Sequence, residues 1–293
     1  LCLPALMLAP SIPVLAAALA VFGASLGVLD VVMNLQAVIV ERASGRAMMS
    51  GFHGMYSVGG IAGAGGVAGA LALGASPLVA IAGTAVLAAL LLAAARGGLL
   101  AQGGEGDHPA FALPRGRVLL VGAVCFAMFL SEGAVLDWSA VFLSAVRHAD
   151  PATAGFGYVA FAVTMTLGRR SGGRIVRALG AVRVVVCGAL VAAAGFALAI
   201  LSASPMAGLA GFALVGAGAA NVVPVMFSAA GRQHDMPTHL AVAAVTTMGY
   251  AGVLLGPAAQ GIDAKATSLP MAFGLLVALL LCVAGAARQA TRS

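Results

Sequence analysis

Three carboxylates stand inside long apolar runs of this chain: Asp30, Glu132 and Asp137. An acid in the middle of a membrane-length apolar helix costs about 2.5–3.5 kcal/mol on insertion scales. Each therefore needs a reason: moving a proton, holding a polar solute, or bonding to a neighbouring helix. Asp30 and Asn34 are four residues apart, so they share a helix face. Either they line a cavity, with Asp30 taking a proton or a substrate hydroxyl, or Asp30 is protonated and bonded to the next helix. His53 lies about one turn into the following apolar run, at a depth near Asp30 if the two helices are antiparallel. Its imidazole is a natural proton carrier near neutral pH, or else a packing group at a helix end. Tyr56 shares its face and offers a hydroxyl to substrate, or serves as an interface aromatic.

Glu132 sits midway along its own run and is a second proton candidate. Asp137 is turned about 140° away from it, towards the helix end, where Trp138 is either an interfacial anchor or a platform for a sugar ring. Asn221 and Tyr250 are polar groups within spans, suited to substrate contact or to bonds between helices. The expected proton-coupling set is thus Asp30, Glu132 and His53. The expected substrate-binding set is Asn34, Tyr56, Asp137, Trp138, Asn221 and Tyr250.

Composition says what positions them. The 293 residues are 62% hydrophobic and 8% charged, with a mean hydropathy of +1.08, whereas a soluble domain carries about 25% charged residues. Disorder needs low hydrophobicity and is excluded. Unbroken runs such as Ile12–Leu29, Leu78–Ala95 and Val118–Leu130 exclude a barrel, whose strands alternate. An all-α membrane protein remains. Nine complete spans are expected, near 11–38, 48–74, 77–95, 118–146, 153–171, 181–202, 205–230, 238–262 and 267–287. Pro77, Pro151, Pro205 and Pro237 stand near span starts, where proline is tolerated. Leu1–Leu8 is apolar but too short to span and reads as the end of a preceding helix. No basic segment comes before it, which argues against a signal peptide.

The net charge of +6 reflects arginines flanking helices rather than a nucleic-acid surface. Thirteen basic residues fall in alternate loops and the C-terminal tail; the opposite loops hold Arg147 and Lys265. That asymmetry predicts that the arginine-rich side, including the C-terminus, is cytoplasmic. Residues 96–117 read as a cytoplasmic linker between a helical segment at 1–95 and a second one at 118–293. Glu41, beside Arg42 at a helix end, and the loop acids Glu105, Asp107, Asp150, Asp235 and Asp263 are assigned no chemistry. No P-loop, metal-ligand spacing or hydrolytic constellation is present, so no cofactor is expected. Cys2, Cys125, Cys187 and Cys282 form no CxxC pair and read as packing residues.

An internal repeat suggests two halves. Gly27-x-x-Asp30-Val31-Val32 returns 191 residues later as Gly218-x-x-Asn221-Val222-Val223. The next span then carries Gly59-x-x-x-Gly63 in one copy and Gly252-x-x-x-Gly256 in the other, patterns suited to close helix packing. Pro224 is expected to break the helix carrying Asn221.

Spans, linker and parallel halves together resemble the major facilitator superfamily. The segments Gly23-Ala-Ser-x-Gly27-x-x-Asp30-x-x-x-Asn34, Val40-Glu41-Arg42 and His53-Gly54-x-Tyr56-Ser57-x-Gly59 resemble its YbjJ-type bacterial branch. So do Glu132-Gly133-x-x-x-Asp137-Trp138, Thr246-Thr247-x-Gly249-Tyr250 and Gly256-Pro257. Asp30-x-x-x-Asn34 also resembles a pattern in fucose permeases, with Asp for their Glu and Leu35 for a proline. Gly168, Arg169, Gly172, Gly173 and Arg174 resemble the superfamily's basic gating loop, with Arg170 at an apolar position and no clear acidic partner for the arginines.

The resemblance implies a major facilitator fold of two six-helix halves, with the first two helices and most of the third missing from this sequence. It implies a monomeric secondary transporter in a bacterial inner membrane, working by alternating access. Its partners would be the bilayer, protons and a small solute, a sugar-like one being favoured. The alternatives are an exporter of amphipathic drugs or metabolites, and a non-transporting sensor or inactive truncated fragment. No nucleic acid is expected.

Overall fold

The computed structural model describes residues 3–100 and 113–292, and the regular structure there is helical. Cys2, Glu105, Asp107 and the centre of the expected linker lie outside the described residues. The elements are α1 (Leu3–Met7), α2 (Ile12–Ser44), α3 (Met49–Ala72), α4 (Pro77–Ala95), α5 (Gly116–Val141), α6 (Pro151–Leu179), α7 (Ala181–Leu201), α8 (Pro205–Ala219), α9 (Val222–Arg232), α10 (Thr238–Ala266) and α11 (Leu269–Ala290). A π-helical turn, Phe142–Val146, extends α5.

Counting α8 and α9 as one interrupted helix, nine segments among the described residues reach membrane-spanning length, at the places the hydropathy predicts. Eight are also apolar enough to cross a membrane. The ninth, α6, carries Arg169, Arg170, Arg174 and Arg177 in its C-terminal part. Pro77, Pro151 and Pro205 open α4, α6 and α8, and Pro237 precedes α10. α2 ends at Gly45, whose φ of 65° is left-handed. Its N–H donates to the carbonyls of Glu41 and Arg42, a glycine cap that closes the helix and turns the chain towards α3.

Two expectations are corrected. The segment Gly168–Arg174 is the interior of α6 rather than a loop, the helix running unbroken to Leu179. Cys187 and Cys282 are exposed on helix surfaces, and Cys125 alone among the described cysteines is buried. The break near Pro224 is found, at Ala220–Asn221. Proline has no N–H to donate to the carbonyl four residues back, here that of Ala220.

The core lies in α5–α11. α5 runs against α10, α7 against α8 and α11, and α6 against α8. Glycine permits these approaches: a Cβ on Gly211 would stand 2.5 Å from the Gly195 carbonyl oxygen, and the reverse holds for Gly195. Phe142, Phe196, Phe212 and Phe273 form one ring cluster. At its edge Arg147 donates to the carbonyls of Ala199 (2.8 Å) and Ile200, satisfying the C-terminus of α7. Its guanidinium also lies 4.9 Å from the centre of the Phe142 ring.

The second GxxxG pattern packs as expected, Gly252 and Gly256 lying against Phe126 and Leu130 of α5. Gly59 and Gly63 differ, since added Cβ atoms there would meet nothing within 4 Å. Helices α2–α4 expose most of their apolar surface. They meet the second group of helices chiefly near the arginine-rich helix ends. Val38 packs on Gly231, Arg42 Nη1 donates to Thr238 Oγ1 at 3.2 Å, and His53 and Phe227 lie ring to ring at 5.6 Å.

Candidate functional site

A cavity of about 280 Å³ opens between the two groups of helices. α2 contributes Asp30 and Asn34, α3 contributes His53 and Tyr56, α5 contributes Phe129 and Glu132, α6 contributes Tyr158, Phe161 and Arg169, α9 contributes Phe227, and α10 contributes Thr246 and Tyr250. Six of the nine expected proton or substrate residues therefore converge here: Asp30, Asn34, His53, Tyr56, Glu132 and Tyr250. They come from four helices separated by up to 220 positions in sequence.

Asn34 Nδ2 donates to Asp30 Oδ2 at 3.2 Å and to the Asp30 carbonyl oxygen at 2.9 Å. The shared face predicted from their spacing is thus real, and Asn34 holds the Asp30 carboxylate in place. Tyr250 stands across the cleft within reach of that carboxylate. Behind this pair, Arg169 Nη2 lies 3.6 Å from Glu132 Oε2, with both side chains largely buried. Arg169 Nη1 donates to Ser57 Oγ of α3 at 3.3 Å. Glu132 is therefore the acidic partner that the sequence did not reveal for Arg169. Arg169 also leaves the set of surface arginines, being 8% exposed.

Four buried polar atoms of the lining residues have no hydrogen-bond partner among the described residues: His53 Nε2, Glu132 Oε1, Arg169 Nε and Thr246 Oγ1. Buried polar groups in folded proteins are nearly always paired with protein or water. Four in one cavity make a place where a polar solute or ordered water would be bound. They include donors and acceptors, while Phe129, Phe161 and Phe227 supply an apolar wall.

The other expected residues lie outside this lining. Asp137 is exposed on the outer surface of α5. Trp138 is half-buried, packed on Gly261 of α10, where a Cβ would meet its ring at 3.0 Å. Asn221 is buried at the α8–α9 break and donates to the Gly168 carbonyl oxygen at 3.1 Å. Its side chain fills the space beside Gly172, and Gly173 lies against the Ala47 carbonyl oxygen. The glycines of the Gly168–Arg174 segment are thus contact points of α6 with α3 and the α8–α9 break. Arg170 and Arg174 point to the surface.

Sequence reasoning missed Ser57, Phe129, Tyr158, Phe161, Phe227 and Thr246 as cavity residues or their partners. Phe129 is one turn before Glu132, a relation visible in the sequence. The remainder lie on helices whose facing direction only packing decides. Glu41, assigned no chemistry, accepts from the Met48 and Met49 backbone N–H groups at 2.7 and 2.6 Å. It thereby caps α3, the helix that presents His53 and Tyr56. Glu41 also borders a second cavity, of about 420 Å³, with Arg42, Arg46 and Arg232.

No protein-family model matches the chain. It is 56% identical over 291 residues to an uncharacterised MFS-type transporter of Yersinia pestis, covering 99% of this chain and 76% of that one. It is 35% identical over 300 residues to an uncharacterised transporter of Sinorhizobium fredii, covering 97% and 77% of the two. It is 32% identical over 279 residues to the membrane protein MosC of Rhizobium meliloti, covering 94% and 68%.

Proposed function

The chain belongs to the major facilitator superfamily, and from that premise we propose that it carries a small polar solute by proton-coupled alternating access. Members of this family are multi-pass membrane transporters rather than enzymes. The finer reading is carried by one observation: Asp30, His53, Glu132 and Arg169 meet in a single cavity between the two groups of helices. An ionisable cluster at membrane depth is costly unless it moves charge or binds a polar ligand.

In this reading Asp30 is the proton carrier, positioned by Asn34. The unpartnered atoms of His53, Glu132, Arg169 and Thr246 bond a sugar-like solute through its hydroxyls, which both donate and accept. The aromatic wall covers its apolar face. The helices up to α4 and from α5 onward form the two rocking halves, joined through residues 96–117. The arginine-rich ends, with the C-terminus, face the cytoplasm of a bacterial inner membrane. In this reading the protein works as a monomer, and its motifs support a YbjJ-type branch.

The test is proton uptake driven by solute in liposomes carrying the full-length transporter. Asp30→Asn should abolish coupled proton movement while solute binding persists; unchanged coupling would remove Asp30 from this role. The rings of Phe129, Phe161 and Phe227 favour a second reading, export of amphipathic molecules. Thermal-shift screening separates the two, since sugars and polyols stabilise the first kind of site and lipophilic cations the second.

A further inference from the structure

We infer that Arg169 is a positioning residue that ties the protonation of Glu132 to the contact between the two groups of helices. The inference rests on the proton-coupled reading above and adds a latch to it. The geometry is a three-membered chain: Glu132 on α5, Arg169 on α6 and Ser57 on α3. The first two belong to one group of helices and the third to the other. Arg169 reaches across the gap where α3 packs on α6, a Cβ on Gly54 falling 3.6 Å from Arg169 Cβ. One contact across the two groups, the Arg169–Ser57 bond, therefore depends on a side chain whose charge is balanced within one group.

Protonating Glu132 removes that balance. A buried guanidinium without a counter-charge is strongly unfavourable, so Arg169 must move towards water. The water-accessible space beside it is the cavity between the groups, and moving there gives up the bond to Ser57. The other groups facing the cavity do not replace Glu132. Asp30 of α2 is held by Asn34, and Glu132 is the one carboxylate within ion-pair distance of Arg169 among the described residues. His53 and Tyr56 of α3, Tyr158 of α6 and Tyr250 of α10 also face this space, and Cys125 lies near Glu132 on α5. None of these is a standing negative charge at neutral pH. Glu132 Oε1 and Arg169 Nε, already without partners, mark the pair as held at one point only.

The distance between spin labels at Ala43 and His234 reads the latch. Both positions are exposed, and they lie at the arginine-rich ends of opposite groups. The labels are placed in the full-length transporter with its native cysteines replaced, without substrate. Lowering the pH from mildly alkaline to mildly acidic should shift the wild-type population from short to long distance by at least about fivefold, the lower end of ordinary coupling. Glu132→Gln and Arg169→Gln should give the long distance at every pH. Arg169→Lys should weaken the pH response, because one ammonium replaces the two guanidinium nitrogens that reach Glu132 and Ser57. A Glu132→Gln protein that follows pH as the wild type does overturns the inference, as does an Arg169→Gln protein that stays short throughout. If one variant does not accumulate folded, the other carries the same test. The distances are read without transport, so losing the latch leaves the transport reading intact, and the converse also holds.

Discussion

Replacing Glu41 with alanine should lower the thermal stability of this protein more than almost any other polar change outside the cavity. The Glu41 carboxylate accepts two short bonds, from Met48 and Met49 N–H at 2.7 and 2.6 Å, and the residue is 9% exposed. Hydrogen bonds to a charged group are worth about 1.5–3 kcal/mol each, and a carboxylate at a helix N-terminus gains further from the helix dipole. Water entering the adjoining 420 Å³ cavity can reach the freed N–H groups and recover part of this. A net loss of about 2–4 kcal/mol follows, or roughly 5–10 °C in apparent Tm. Glu41→Gln keeps an acceptor and loses the charge, so it should cost about half as much. The sole tryptophan, Trp138, packs between α5 and α10 and reports unfolding in detergent micelles by its fluorescence. An alanine variant melting within about 1 °C of wild type would refute the argument. So would a glutamine variant that loses as much as the alanine one, since charge and not acceptance would then hold the turn.

Gly252→Leu should destabilise by about 1–3 kcal/mol through overpacking, because its Cβ would be driven into the Phe126 carbonyl oxygen. Gly274→Ala in α11, with nothing within 4 Å of an added Cβ, should be neutral or raise the melting temperature slightly. Arg147→Ala should cost about 2 kcal/mol by removing a cation from the α7 C-terminus, seen in the same melting experiment. In micelles, a small permeant maleimide should label Cys187 and Cys282 quickly and Cys125 only after unfolding, as mass spectrometry would show.

The helices were legible because apolar runs of spanning length have few other structures open to them, and prolines and polar turns marked where each begins. The Asp30–Asn34 pair was legible because it depends on spacing within one helix. What hid was whatever depends on how helices face one another. Arg169 and Glu132 are 37 positions apart, and nothing in either run says that they meet. Arg169 read as a loop charge because it stands among four further arginines, Arg170, Arg174, Arg177 and Arg183. Which of these turns inward is settled by the packing of α6 against α3 and α8. For Asn221, substrate contact and a bond between helices stood open in the sequence, and the helix break turns its amide to the second, a bond to Gly168.

That repeat has one more consequence. Its first copy is an uninterrupted helix, α2, with a carboxylate at the cleft held by Asn34; its second is split at Ala220–Asn221, with the amide committed to packing. A helix interrupted at its middle bends there, whereas an intact one tilts as a rod. The two copies of the motif thus differ in build. The first is a rod that carries a carboxyl to the cleft, and the second has a joint at the corresponding place.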